Sequence, residues 1–483
     1  MPGSEKTEID FGTSGLRAAA INFTQENISA YVGAFLELFG DADKKIVYVG
    51  ADLRLSSPNI AANVIAAINA KGWQSVYGGN VPTPALAFYA MERNCPAIMI
   101  TGSHIPEDYN GIKFYSQKGE LLKEDEAPIR QKAMFLLQEV STTTPMPLPE
   151  IDRDIANAYV TRFASGFSND ILKGVRLGVD MHSAVGRDLT VQIMRELGAI
   201  CFPFHRSEKF IAVDTEALNK EYLQRAAAQI KKHKLDAIIS TDGDGDRPLL
   251  LDENGNQVNG DILGALTAKA LGINIVVTPL SSTSAIEKSG WFNKVERTKI
   301  GSPYVVSAME KEQGTKAGAL IAGFEANGGF LLASDLTLSN GTISKLPTRD
   351  AILPLIMVLA EAVKQDISIS GLVKSMPGRF MKADRIKNIS SNNAQIFLSG
   401  LKNSKSTRDE IHLHISEPLS IDELDGVRMS FADETIVHFR QSGNAPEMRI
   451  YVETDAQDFT DSLLSEVIES LKKYFAKKGF LNY

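Results

Sequence analysis

Short apolar runs alternate with helix-patterned stretches through the first three quarters of the chain. Ile46–Val49 is a compact apolar run closed by Gly50. It is followed by helical spacing from Asn59 to Ala70, a second run at Ser75–Tyr77, a helical stretch after Pro84, and the run Ala97–Ile100. Such alternation predicts stacked βα units around a largely parallel sheet, whose strand C-termini carry the ligand-binding loops. A second cycle holds Val175–Val179, helices over Leu189–Leu197 and Glu216–His233, and the strand Ala237–Ser240. A third holds Asn274–Thr278, a helix around Val305–Glu312, and the run Ala319–Ala322. The remainder changes character: Glu410–Ile415, Ile436–Phe439 and Met448–Glu453 are strand-like, and a helix follows from Phe459 to Phe475, which predicts an α+β final domain. The expected boundaries are 1–153, 154–256, 257–368 and 369–483. The turn-rich stretch Ser141–Pro149 lies near the first of them.

Composition narrows the class. The chain has 483 residues, 43% hydrophobic and 23% charged, a balance expected of a globular protein with several cores. Its formal charge of −8 gives no reason to expect a nucleic-acid partner. No apolar run is long enough to span a bilayer; Ala351–Ala362 is apolar enough to be buried but too short to span one. The N-terminal stretch lacks the apolar core of a secretory signal, and Cys95 and Cys201 form no CxxC. These features lead to the expectation of a cytoplasmic protein without membrane contact. Nothing in the sequence fixes its oligomeric state.

The candidate chemistry lies in loops that follow apolar strands. Asp242, Asp244 and Asp246 alternate with glycines and end at Arg247, a pattern suited to wrapping a hard cation with oxygen ligands. An EF-hand would place glycine at loop position six, where this chain has Arg247, although Glu253 falls at position twelve. Magnesium bridging a phosphate fits better. Ser103, in TGSHIP at 101–106, follows a buried run and has His104 and Lys113 nearby. A serine hydroxyl needs activation by a base, a metal or an attached group before it serves as a nucleophile. Glu325 and Asn327, in GFEANGG at 323–329, offer a carboxylate and an amide to sugar hydroxyls. Arg440, Ser442 and Asn444, in RQSGNAPEMR at 440–449, can surround phosphate oxygens. TSGLR at 13–17 adds Arg17 on a glycine-containing loop. Neither GxGxxG nor a Walker pattern occurs, so nucleotide binding is poorly supported.

Taken together and in this order, these five motifs resemble the alpha-D-phosphohexomutase superfamily, in particular its phosphomannomutase/phosphoglucomutase enzymes, across essentially the whole chain. The resemblance implies four domains around a central cleft, three of them similar mixed α/β domains and the last α+β. It implies reversible conversion of a hexose 6-phosphate and a hexose 1-phosphate through phosphoserine at Ser103, with a sugar 1,6-bisphosphate as intermediate or activator. By the same resemblance Mg2+ is held by Asp242, Asp244 and Asp246 with Ser103. Lys113 and His104 assist proton transfer, and Arg17 and Arg247 lie in the active site. Glu325 and Asn327 meet the sugar, and Arg440, Ser442 and Asn444 grip the non-reacting phosphate. Lys299 adds positive charge.

Some positions depart from the family pattern. Many relatives have histidine where this chain has Ser302, serine in place of Asn327, and threonine and glutamate in place of Asn444 and Ala445. These departures weaken a direct transfer of sugar specificity; the resemblance makes phosphomannomutase activity, with phosphoglucomutase activity beside it, the leading expectation and an amino-sugar phosphomutase the alternative. A phosphatase releasing the Ser103 phosphate to water, and a phosphosugar-binding protein without turnover, are the readings from other classes.

Overall fold

The structure is a computed structural model and describes residues 9–12, 14–39, 44–138, 146–316, 318–411, 417–442 and 446–480. Thr13, Asn444 and its neighbours Gly443 and Ala445, and parts of the expected boundary at 141–149 and of the expected strand at 410–415, lie outside the described residues.

By contacts the chain divides into two units. The first comprises Met1–Val277, Phe292–Glu296 and Gly301–Val373; the second comprises Thr278–Trp291, Arg297–Ile300 and Lys374–Tyr483. Three sheets organise the first, the ends of two strands of the third sheet, from Thr278 and from Arg297, being counted with the second unit. One runs in the order Asp10–Phe11, Leu16–Ala19, Tyr109–Ser116, Ala97–Ile100, Ile46–Ala51, Gln74–Asn80, with Gly119–Glu120 paired to Tyr109–Ser116. Another runs Pro248–Leu251, Ala237–Thr241, Arg176–Asp180, Ile200–Phe204. The third runs Lys294–Thr298, Ile275–Pro279, Ile321–Phe324, Phe330–Leu332, Leu346–Asp350.

The expectation of a largely parallel sheet is corrected for the first sheet, where antiparallel pairs outnumber parallel ones, and every sheet of this unit is mixed. Ala97–Ile100 is parallel to Ile46–Ala51 but antiparallel to Tyr109–Ser116. Ala237–Thr241 is parallel to Arg176–Asp180 but antiparallel to Pro248–Leu251. Ile321–Phe324 is parallel to Ile275–Pro279 but antiparallel to Phe330–Leu332. In each sheet a buried parallel strand thus turns back on itself, and the loop at that turn is one of the polar motifs. The helices follow the apolar spacing closely: Ser57–Ala70, Thr83–Glu92, Arg187–Glu196 and Ser302–Thr315 all form. The helix expected from Glu216 begins instead at Lys220, because the Asn219 side chain accepts from the Tyr222 N–H and caps it there.

The second unit is built on a fully antiparallel sheet ordered Phe380–Lys387, Glu447–Thr454, Ile436–Gln441, Val427–Ser430, Ser420–Asp422. Phe397 from the helix Ser391–Asn403 and Leu471 and Phe475 from Gln457–Lys478 pack with Phe439 and Ile450 in its core. Glu410, expected in a strand, ends the short helix Lys405–Glu410, which Ser404 caps through the Thr407 N–H. Here again a hairpin return, between Ile436–Gln441 and Glu447–Thr454, carries a polar motif. Among the described residues no helix is long and apolar enough to cross a membrane; the apolar stretch at 351–362 lies in the buried helix Ile352–Gln365.

Candidate active site

Three neighbouring strands bring Arg17, Lys113 and Ser103 together. Lys113 stands opposite Met99 and Arg17 opposite Gly111, so both lie beside the strand end that leads into the serine loop. Ser103 is buried, with a backbone φ of 54° in the left-handed region that non-glycine residues seldom adopt. Its N–H donates to Thr101 Oγ1 at 2.8 Å, and its Oγ donates to Asp242 Oδ2 at 2.6 Å and lies 3.2 Å from His104 Nδ1.

The aspartate loop is closed by the Asp242 N–H, which donates to the Arg247 carbonyl, and by the Thr241–Pro248 pair. Asp242 Oδ1 accepts from the backbone N–H groups of Asp246 and Arg247, both at 3.2 Å. A Cβ on Gly243 would stand 2.7 Å from the Ser103 carbonyl oxygen, so only glycine lets the two loops approach this closely. Asp242, Asp244 and Asp246 are all buried, and one carboxylate oxygen from each lies within 4.8 Å of the others. Asp244 Oδ1 and Asp246 Oδ1 are buried without a hydrogen-bond partner, whereas their Oδ2 atoms are engaged. Hard oxygen donors, converging and partly unsatisfied, fit a divalent cation such as magnesium.

Cations surround this cluster. Lys113 Nζ donates to Asp244 and Asp246 at 2.6 Å each, and Arg349 is 2.9 Å from Asp246 Oδ2. Burial disfavours the Lys113 charge, but the two carboxylates outweigh it and hold the ammonium protonated. Burial and the neighbouring Asp244 and Asp246 push the Asp242 carboxyl well above its usual range. Asp246 goes the other way: burial is overcome by Arg349, Lys113 and Arg247. Arg17 has its pKa lowered to about 10 by burial, Arg247 and Arg349. His104 is pushed down to about 2 by Arg247, burial and Arg17, so its imidazole is neutral. Neighbouring guanidiniums thus depress Arg17 and His104, and the positive potential on that side of the cluster favours a bound anion, while, against burial, the carboxylates raise Arg247 and Arg349.

The Glu325–Gly329 loop is tied to the same cluster. The Glu325 N–H donates to the Gly329 carbonyl, and Asn327 Oδ1 accepts from the Gly329 N–H at 3.0 Å. Glu325 Oε2 is 3.3 Å from Arg349, so one guanidinium spans the aspartate loop and the Glu325 loop. Arg349 carries no motif signal. Ser302 is fully buried and donates to Glu120 Oε1 at 2.8 Å.

In the second unit, Arg440 Nε donates to Asp425 Oδ2 at 2.8 Å, and the same oxygen accepts from the Ile300 N–H at 2.9 Å. Asp425 thereby brings the backbone beside the exposed Lys299 to Arg440. His438 Nε2, 2.6 Å from the Asp425 carbonyl oxygen, holds that loop from behind. Ser442 is buried, its N–H donating to the Glu447 carbonyl. Neither Asp425 nor Arg349 could be found from sequence spacing, because their partners are distant in the chain.

Family models for three domains match in order. The phosphoglucomutase/phosphomannomutase alpha/beta/alpha domains I, II and III cover residues 8–134, 157–255 and 259–380. A phosphomannomutase of Salmonella muenchen is 41% identical over 470 residues, 97% of this chain and 96% of that protein. A phosphoglucosamine mutase of Clostridium tetani is 26% identical, over 96% of this chain and 98% of that one. A crystal structure described as a putative phosphomannomutase from Thermus thermophilus superposes with a TM-score of 0.76 at 22% identity, covering 97% of this chain and 100% of that one. The serine, aspartate and Glu325 loops each fall within one of the matched domains, and the likeness in sequence runs nearly end to end. The chain therefore belongs to the phosphoglucomutase/phosphomannomutase family.

Proposed function

We propose that the chain is a magnesium-dependent phosphomannomutase, acting also on glucose phosphates, in which Ser103 carries the phosphoryl group. The observation that carries this reading is the Ser103 hydroxyl bonded to Asp242 of a buried aspartate cluster that Lys113 and Arg349 pair with. Asp242, Asp244 and Asp246, with Ser103, are the residues that hold magnesium, which supplies positive charge against the transferring phosphoryl oxygens.

The proposed reaction begins with phosphorylated Ser103. A free hydroxyl of the hexose monophosphate forms a bond to phosphorus as the bond to Ser103 Oγ breaks, giving a hexose 1,6-bisphosphate. The bisphosphate reorients, and Ser103 takes back the other phosphoryl group, leaving the isomeric monophosphate. Lys113 and His104 assist the transfer of the proton exchanged between sugar hydroxyl and Ser103 Oγ, His104 Nδ1 lying 3.2 Å from that oxygen. Arg17 and Arg247 stabilise the charge on the group in transit. Glu325 and Asn327 bind sugar hydroxyls. Arg440, Ser442, Asn444 and Lys299 hold the phosphate that does not react.

The domains we propose are 1–153, 154–256, 257–368 and 369–483, each with one of the hairpin loops just described. A cytoplasmic location accords with the free thiols of Cys95 and Cys201. The higher identity to a phosphomannomutase than to a phosphoglucosamine mutase supports the choice of sugar. One magnesium-dependent assay with mannose, glucose and glucosamine 1-phosphates tests it. Turnover of the first two with little of the third is expected, and turnover of glucosamine phosphate alone would overturn the assignment.

A further inference from the structure

Arg54 is among the largest fully buried side chains of the protein, 1% exposed. A guanidinium presents five N–H donors in a fixed fork, and burying it is costly unless they are met. All five are met here. Nε donates to Asp52 Oδ2 at 3.2 Å. One terminal nitrogen donates to the carbonyls of Pro106 at 2.5 Å and Tyr109 at 3.0 Å, and the other to those of Ser103 at 3.0 Å and Ile105 at 2.6 Å. Four of the five acceptors are therefore backbone oxygens of the loop that carries Ser103. Asp52 extends the clamp, since its Oδ2 also accepts from the Gly102 N–H at 3.3 Å. The Phe210 ring lies over the guanidinium, with Cζ 4.0 Å from the ring centroid.

The loop needs such a clamp. Ser103 sits at a positive φ that costs free energy and persists only where surrounding contacts enforce it. Four carbonyl oxygens converging on one point also repel one another unless a donor stands between them. Gly102 makes room for that donor: a Cβ there would lie 2.6 Å from Arg54 Cζ.

We infer that Arg54 is a positioning residue for phosphoryl transfer, holding the Ser103 loop in the turn that aims Oγ at Asp242 while touching neither sugar nor phosphate itself. The inference rests on the phosphoserine reading above. Arg54→Lys keeps the charge but gathers its donors on one nitrogen, which cannot span four carbonyls. Gly102→Ala leaves Arg54 in place chemically and pushes it away from the loop.

The test is steady-state turnover of hexose 1-phosphate with magnesium and hexose 1,6-bisphosphate. A misplacement of about 1 Å at a reacting group costs on the order of 100-fold in rate. Each variant is therefore expected to lose about 100-fold in kcat with KM within about threefold of wild type, and the double variant to be no slower than the slower single. A folded Arg54→Lys protein with kcat within about tenfold of wild type overturns the inference, as does a raised KM with unchanged kcat. If Arg54→Lys does not fold, Gly102→Ala is judged by the same two criteria. Intact-mass measurement of wild type after exposure to the bisphosphate separates the two claims. No phosphoryl group on wild-type Ser103 means the phosphoserine reading has failed, whereas a phosphorylated, active wild type beside unimpaired variants means only the role of Arg54 has failed.

Discussion

Replacing Lys113 by methionine removes the ammonium while nearly conserving side-chain length. Lys113 is 3% exposed and donates to Asp244 and Asp246 at 2.6 Å each. Removing one partner of a buried ion pair costs about 3–5 kcal/mol, because the charge left behind is uncompensated. Arg349 remains on Asp246 and Thr83 Oγ1 on Asp244 at 2.5 Å, which places the expected loss at the lower end, about 3 kcal/mol. Burial lowers the Lys113 pKa, but Asp244 and Asp246 raise it further, so its folded value stands above the unfolded one. Its contribution is then fully present below the unfolded pKa of about 10.4 and lost only as pH rises through the folded value. The stability difference between wild type and Lys113→Met is accordingly flat from about pH 6 to about pH 9.

Urea unfolding followed by circular dichroism, first with chelator and then with excess magnesium, measures the difference. The variant cluster is one charge more negative and binds the divalent ion more tightly. Saturation at 100 times Kd is worth about 2.7 kcal/mol, so tighter binding narrows the gap. A loss under about 1 kcal/mol with chelator would refute the buried pairing. A gap that magnesium leaves unchanged would refute the aspartates as a cation site.

Three other substitutions probe separate contacts. Arg349→Met removes charge-assisted bonds to Asp246 and Glu325, worth about 1.5–3 kcal/mol, so kcat/KM should fall roughly 10- to 100-fold in the mutase assay. Asp425→Asn keeps an oxygen that can accept from both Arg440 Nε and the Ile300 N–H but removes the negative charge that strengthens the Arg440 bond. KM for hexose 1-phosphate should rise about tenfold with kcat little changed, and an unaltered KM would count against Asp425 as the support of Arg440. Ser302→His forces a larger ring into a fully buried position already bonded to Glu120, and should lower the free energy of unfolding by about 1–3 kcal/mol in urea titration.

The features legible in the sequence were those whose chemistry is local. Alternating aspartates and glycines and a serine after an apolar run mark candidate ligand loops, and the structure buries Ser103 and the three aspartates together. Helices such as Ser57–Ala70 and Ser302–Thr315 were legible from apolar spacing. The antiparallel return over Tyr109–Ser116 was not, because it contains polar Asn110 and Lys113 and resembles a loop. Arg54, Arg349 and Asp425 were invisible for a different reason. Each is an ordinary charged residue until the fold brings it to acceptors or donors far along the chain, as Asp425 is brought to Ile300. Glu410 misled because its neighbours alternate like a strand, whereas the Ser404 cap starts a helix that ends there.

The central claim is that Ser103 carries the phosphoryl group between the two ends of one sugar. Peptide mass spectrometry on protein turning over mannose 1-phosphate, with magnesium and a trace of hexose 1,6-bisphosphate, tests it directly. The account predicts one phosphoryl group on the peptide containing Ser103, mannose 6-phosphate as product, and loss of both in a folded Ser103→Ala protein. Undiminished mannose 6-phosphate formation by Ser103→Ala, or inorganic phosphate appearing without the isomer, would contradict it.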